Sequence, residues 1–255
     1  KNSRKPVGLR RFAKYAAMAL CVCLSACAGT SSDQPTPEAA KRFLTLRGYD
    51  FDEHSFFRAA AAGDVMSVNG FISAGINVNA KNADDDTALT ASAARGDAKI
   101  VEALLRGGAD VNAKGRSNWT ALLLSLSEDH DLVTDVLLAQ PNIDLKAENP
   151  QGQTALMRAV WHQREQVVAS ILKRGGDVNH QDKDGDAAVH GAALYENARI
   201  LKLLLDGGAN PNVKNKLGGT ALMGAAAYRH QEIVSILLSR GGIELMLRAA
   251  EKDRQ

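Results

Sequence analysis

From Asp50 onward the chain repeats itself with a period of about 33 positions, and that period constrains its architecture more than any other feature. Thr87, Thr120, Thr154, Ala187 and Thr220 mark one recurring position, and Leu89, Leu122, Leu156, Val189 and Leu222 follow two residues later. A second apolar pair recurs as Leu104-Leu105, Leu137-Leu138, Ile171-Leu172, Leu204-Leu205 and Leu237-Leu238. Glycine pairs come next at Gly107-Gly108, Gly175-Gly176, Gly207-Gly208 and Gly241-Gly242, and then Asn79, Asn112, Asn179 and Asn212 punctuate the loop. A single unit of this size cannot bury its own apolar face, so the units must stack into a solenoid.

Each unit reads as two short helices and a loop. The small residues of Thr87–Ala94 let neighbouring inner helices approach closely. Gly96-Asp97 breaks the chain, and Asp97 is placed to cap a second helix whose apolar residues Ile100, Val101, Leu104 and Leu105 share one face. Gly107-Gly108 is expected to end that helix in the left-handed conformation. Asn112 is expected to serve the following turn through the same conformation and through bonds to nearby backbone.

These motifs resemble the ankyrin repeat, whose consensus has a Thr-Pro-Leu-His helix start, a Gly-His break, a Val-Val…Leu-Leu helix and a Gly-Ala-Asp-Val-Asn ending. Residues 107–112 (GGADVN) and 207–212 (GGANPN) match it closely. The resemblance implies an all-α solenoid with β-hairpin loops, a monomer whose concave face holds another protein. The repeats fall at about 55–82, 83–115, 116–149, 150–182, 183–215 and 216–242. The family's proline is Ala88, Ala121, Ala155, Ala188 and Ala221, and only His190 keeps its histidine. The third copy departs most, with Gln140-Pro141 for the glycine pair and Lys146 for the asparagine, and should be the least regular. Both ends are atypical, as solenoid caps are: Phe56 to Asp64 lacks a preceding loop, and residues 243–255 read as a closing helix in a repeat domain of 55–255.

The segment 1–26 holds Lys1, Arg4, Lys5, Arg10, Arg11 and Lys14 and no acidic residue, so the remainder carries four more acidic than basic side chains. That balance argues against nucleic acid, whose phosphates select a basic face. An apolar run of about eleven residues, Ala16–Ala26, follows the basic start; it suits a signal peptide and falls short of the roughly 20 residues of a spanning helix. It ends Leu24-Ser25-Ala26-Cys27, which resembles the lipobox of bacterial lipoproteins: small residues that fit a peptidase cleft, then the thiol that accepts diacylglycerol. The resemblance implies a signal peptide at 1–26, lipidation at Cys27, a flexible tether over 27–37 and, from Ala28, an outer-membrane site facing the periplasm. Arg10-Arg11 only partly resembles a twin-arginine signal, and an initiating methionine is expected upstream of Lys1. Residues 38–54 form a lead-in with a helix over Glu38–Arg47, opened by Pro37 and stopped by Gly48. The three cysteines, Cys21, Cys23 and Cys27, all lie at or before the lipobox, which leaves the repeats without disulfide or thiolate chemistry.

Within the repeats, Asp182, Asp184 and Asp186 resemble the start of a calcium loop, but the twelfth position is Ala193 where an EF-hand needs an acid. They fall at a hairpin tip, as do Asp84, Asp85 and Asp86, and read as solvated turns. No nucleophile elbow, phosphate loop or paired catalytic carboxylates occur, so no enzyme activity, cofactor, metal or small-molecule substrate is expected. What stands out is a surface. The inner-helix ends form two columns, Ala94, Ser127, Trp161, Leu194, Ala227 and Arg95, Glu128, His162, Tyr195, Tyr228. With Trp119 on a loop and Arg158 one turn before Trp161, the columns turn aromatic toward the C-terminus and mark a candidate partner site: Trp119, Arg158, Trp161, His162, Tyr195 and Tyr228. The competing assignment is that Trp161 or Tyr195 shields the neighbouring repeat. The expectation is therefore a membrane-tethered protein binder. By resemblance it is an immunity protein blocking a secreted toxic enzyme, or else a support factor for a periplasmic stress enzyme or a passive envelope spacer.

Overall fold

The computed structural model describes residues 35–242, so the signal segment, Cys27, most of the tether and the closing helix lie outside the described residues. An N-terminal helix α1 (Pro37–Leu46) is followed by six antiparallel helix pairs. They are α2 (Glu53–Ala61) with α3 (Val65–Ser73), α4 (Ala88–Arg95) with α5 (Ala98–Arg106), and α6 (Ala121–Ser127) with α7 (Asp131–Leu138). The series continues with α8 (Ala155–Trp161) and α9 (Glu165–Lys173), α10 (Ala188–Leu194) and α11 (Ala198–Asp206), and α12 (Ala221–Ala227) and α13 (Gln231–Leu237). Inner helices stack on inner helices and outer on outer, so one continuous core runs along the array. No described helix is long and apolar enough to cross a membrane.

The recurring leucines make that core. Leu104, Leu137, Ile171, Leu204 and Leu237 are fully buried, whereas the second member of each pair is only partly covered or lies at the core's margin. Each fully buried side chain of this kind contributes about 1.5–3 kcal/mol of transfer free energy. The last five inner helices start at the alanines that stand for the family proline; the residue before is the N-cap, and Thr87, Thr120 and Thr220 cap through their side chains whereas Thr154 makes no such bond. Thr87 accepts from the Thr90 backbone N–H at 3.1 Å, Thr120 from Leu123 at 3.4 Å and Thr220 from Met223 at 3.3 Å. Where Ala187 has no hydroxyl, the ring Nδ1 of His190 accepts the Ala187 N–H instead, at 3.0 Å.

Several local expectations are corrected. Asp97 occupies the cap position of α5 without capping it, because its carboxylate is drawn 3.0 Å from Arg95 Nε. Gly107 keeps an ordinary φ of −79° and only Gly108 is left-handed, at +86°. Glycine at 107 answers a close approach: a Cβ there would lie 2.7 Å from the Ile72 side chain of the preceding repeat. The punctuating asparagines are not left-handed either. Asn79 Oδ1 accepts the Asp110 N–H, Asn112 Oδ1 that of Asp144 and Asn179 Oδ1 that of Asn210, each at 2.8 Å. They are rungs between repeats. The hairpins shrink to isolated antiparallel bridges, Lys81 with Thr87, Lys114 with Thr120 and Gln181 with Ala187, and no strand forms among the described residues.

The N-terminal end is closed by α1, one residue earlier than expected, with Thr36 as N-cap and Arg47 as C-cap. Leu44 and Phe43 cover Gly70 on α3. Arg47 bonds to Asp64 Oδ2 and Ser67 Oγ, both at 2.8 Å. Burial opposes ionisation of Asp64, yet these groups and the Ser67 backbone N–H hold its carboxyl below the usual range.

Candidate functional site

Helix periodicity and the repeat offset fix how one inner helix meets the next. The last residue of one inner helix meets the fourth residue of the following one at Ser127 with Arg158 and at Trp161 with Gly191, and Leu194 and Gly224 hold the same two positions at the next junction without touching. Arg158 lies at the centre of the candidate surface. Its guanidinium stands 5.9 Å from the ring centroids of both Trp119, on the loop before α6, and Trp161, at the end of α8. Its Nη2 donates to Ser127 Oγ at 2.9 Å and to His162 Nε2 at 3.0 Å. An acceptor role for Nε2 puts the ring proton on Nδ1, which donates to Asp129 Oδ1 at 2.9 Å. Asp129 also receives Arg164, at 2.9 Å, and Arg164 reaches Asp131 at 2.6 Å.

The electrostatics follow from this wiring. The Arg164 hydrogen bond, with that of His162, holds the Asp129 carboxyl below its usual range although burial opposes this. Burial lowers the affinity of the Arg158 guanidinium for its proton, and Asp129, Glu128 and Tyr195 offset this at a distance. Among the described residues no carboxylate lies within salt-bridge reach of Arg158, and its buried Nε–H has no acceptor. Two indole faces, whose π-electrons attract a weakly hydrated cation, stand where a carboxylate would be expected.

Trp119, Arg158, Trp161 and His162 are thus one connected group, but not a freely exposed one. His162 is held between Arg158 and Asp129. Trp161 takes the space of an absent side chain on the next repeat, since a Cβ on Gly191 would lie 2.5 Å from its Cδ1 and 2.6 Å from its Nε1. Trp161 is therefore packed against the neighbouring repeat, whereas Tyr195 is 44% exposed beside Leu194 at 42%. Tyr228 is 62% exposed and stands apart, stacked on His230 at a centroid distance of 5.9 Å.

Beyond Trp161 the surface opens into a recess of about 420 Å³ between α10 and α12, lined by Leu194, Tyr195, Met223 and Gly224 with Asp186 at its rim. Met223, 59% exposed, and the two glycines belong to neither column of inner-helix ends, so the residues at those ends do not reveal them. The fourth-position column, Ala91, Leu124, Arg158, Gly191 and Gly224, carried the signal. The acidic tips are turns: Asp182 Oδ1 accepts the N–H groups of Asp184 and Asp186 at 2.9 and 3.0 Å, and Asp84 pairs with Arg116 at 3.0 Å.

The family model described as ankyrin repeats matches the chain over residues 56–149, 117–182 and 156–249. The crystal structure of an ankyrin repeat domain from Acinetobacter baumannii is similar, with a TM-score of 0.69 and 29% identity over 74% of this chain and 99% of that one. A second, of the ankyrin repeat protein EF0377, gives 0.66 and 25% identity over 72% of this chain and 96% of that one. No curated protein matches the sequence.

Proposed function

The chain belongs to the ankyrin-repeat family, a family of protein–protein interaction modules, and from that premise we propose that it holds a partner protein on its inner-helix face while Cys27 anchors it to a membrane. Ankyrin-repeat proteins are in general binding scaffolds without enzymatic activity. The observation that supports this site is the change in character along one face: Ala94 and Ser127 give way to the stacked Trp119–Arg158–Trp161 group and then to exposed Leu194, Tyr195 and Tyr228. Tyrosine offers apolar area and a polar handle for little loss of rotamer freedom, which suits a binding anchor. An exposed apolar set of this kind has no folding role that needs it. On this reading the protein is a periplasm-facing adaptor on the outer membrane, and blocking a secreted toxic enzyme as an immunity protein is the sharper form of that role.

Partner capture by crosslinking, followed by calorimetry, tests the face. Replacing Tyr195 and Tyr228 together by alanine is expected to weaken binding by about 2 kcal/mol or more, roughly thirty-fold, with an unchanged melting temperature. Undiminished affinity would move the interface elsewhere, first to Trp119 and the loop tips. The anchor is tested separately by fatty-acid labelling: Cys27→Ser is expected to abolish incorporation, and label retained on that variant would end the lipoprotein assignment.

A further inference from the structure

Two neighbouring junctions of the array are built alike and filled differently. At the first, the Trp161 indole lies over Gly191 and occupies the volume where a side chain would be. At the second, Leu194 stands in the position of Trp161 and Gly224 in that of Gly191, but a Cβ built on Gly224 meets no atom within 4 Å. Leu194 turns outward and leaves the slot open as the recess between α10 and α12. Its apolar lining comes from Ala221, Gly224, Met223 and the Tyr195 ring, with His190, Asn215 and Thr220 beside them. The rim carries a carboxylate. Asp186 Oδ1 accepts from Asn215 Nδ2 at 3.0 Å, while its Oδ2 receives no hydrogen bond among the described residues.

We propose that this slot receives a tryptophan side chain of the partner protein, its indole over Gly224 and its N–H donated to Asp186. The inference rests on the inner-helix face being the binding face, and it names the group that is bound there. Three observations select that occupant. The preceding junction is a template, built by this same chain, showing that an indole fits over a glycine at this position. The slot continues the interface between repeats, so its walls are already spaced for side-chain packing. Asp186 is the one carboxylate in a lining whose other polar side chains are His190, Tyr195, Asn215 and Thr220, and it complements a single N–H donor on a flat apolar group. A phenyl ring has no donor, and an arginine would leave its charge against the apolar lining at a desolvation cost one shared carboxylate does not offset.

Met223 lines the slot, and its ε-methyl is a reporter for it. In the full chain with ¹³C-methyl methionine, titration with N-acetyl-tryptophanamide is expected to move the Met223 resonance upfield through the indole ring current. The buried Met157 resonance should stay in place. N-acetyl-phenylalaninamide should shift Met223 less, and N-acetyl-argininamide not at all. Gly224→Leu fills the slot; because its Cβ meets open space and the backbone there is helical, this variant should melt no earlier than the parent and lose the response. An unmoved Met223 resonance, a stronger response to the arginine compound, or a response that survives Gly224→Leu overturns the proposal. Partner affinity measured on the Tyr195/Tyr228 variant separates the two readings. If that affinity falls while the indole compound leaves Met223 unmoved, the face stands and the tryptophan slot does not.

Discussion

The second repeat, 83–115, and the third, 116–149, share a fold but are tied to their successors by different chemistry. The second leaves its outer helix through left-handed Gly108 and sends Asn112 across to the next loop, accepting from the Asp144 N–H and donating to the Asn142 carbonyl, both at 2.8 Å. The third has Pro141 in the place of Gly108, and a proline cannot adopt positive φ. It also has Lys146 where the asparagine belongs, and no equivalent rung forms among the described residues. Arg174 of the fourth repeat takes over, donating to the carbonyls of Leu138, Gln140 and Pro141, the last two at 2.7 and 3.4 Å. Arg164 grips Asp129 and Asp131 of the same repeat from the other helix end. Loss of the consensus residues is thus offset by long cationic side chains reaching back one repeat. A consensus position describes one solution to joining two loops; the requirement is that the loop carbonyls and N–H groups find partners.

The comparison can be broken most severely in the core, where the two repeats should be equal. Leu104→Ala and Leu137→Ala remove equivalent, fully buried side chains, and each is expected to cost about 2–5 kcal/mol in urea unfolding followed by circular dichroism. A much smaller cost for Leu137 would mean that the third repeat is held by its arginines and not by its core. Next in size is Arg174→Ala, which strips a charged donor from several carbonyls at once and should cost about 1.5–3 kcal/mol. Hydrogen exchange should then quicken around residues 138–143 and remain unchanged around 104–112. Uniform acceleration would show that Arg174 only adds to global stability. The smallest effect sharpens the contrast. Lys146→Asn supplies the missing rung to the Asp177 N–H and is expected to stabilise the array by about 0.5–1.5 kcal/mol. A neutral or destabilising result would show that the loop lies out of reach of its neighbour.

The architecture was legible because burial writes itself into a sequence periodically: in every unit the same leucine must meet the same neighbour. Local rules for caps and turns see only a few residues, and within that range they do not rank competing partners. Asp97 is the local case, its carboxylate taken by Arg95 two residues before it. Asn112 is the distant one, its amide bonded to the loop of the next repeat. Glycine had the same ambiguity: Gly108 is explained by its own φ, Gly107 by the Ile72 side chain of the repeat before. At the candidate site the aromatics were visible as unusual residue types. Whether each was a prop or an anchor depended on the small residue opposite, which lies one repeat away and draws no attention in the sequence.

The substitution of an arginine grip for an amide rung also has a mechanical side. An asparagine side chain ties two loops in both directions, giving and taking a hydrogen bond, and so fixes their spacing and their tilt. A guanidinium at the end of a flexible stem gives only, and it can follow the carbonyls it holds through a change of angle. Loaded along its length, an array of this kind acts as a spring, and its third and fourth coils are joined by a link that can change its angle without breaking. That link lies at the junction where Arg158, between Trp119 and Trp161, reaches back to Ser127. Bending there spreads or narrows the face on either side of the stacked group, so a gripped partner would be held at the hinge and feel both halves close.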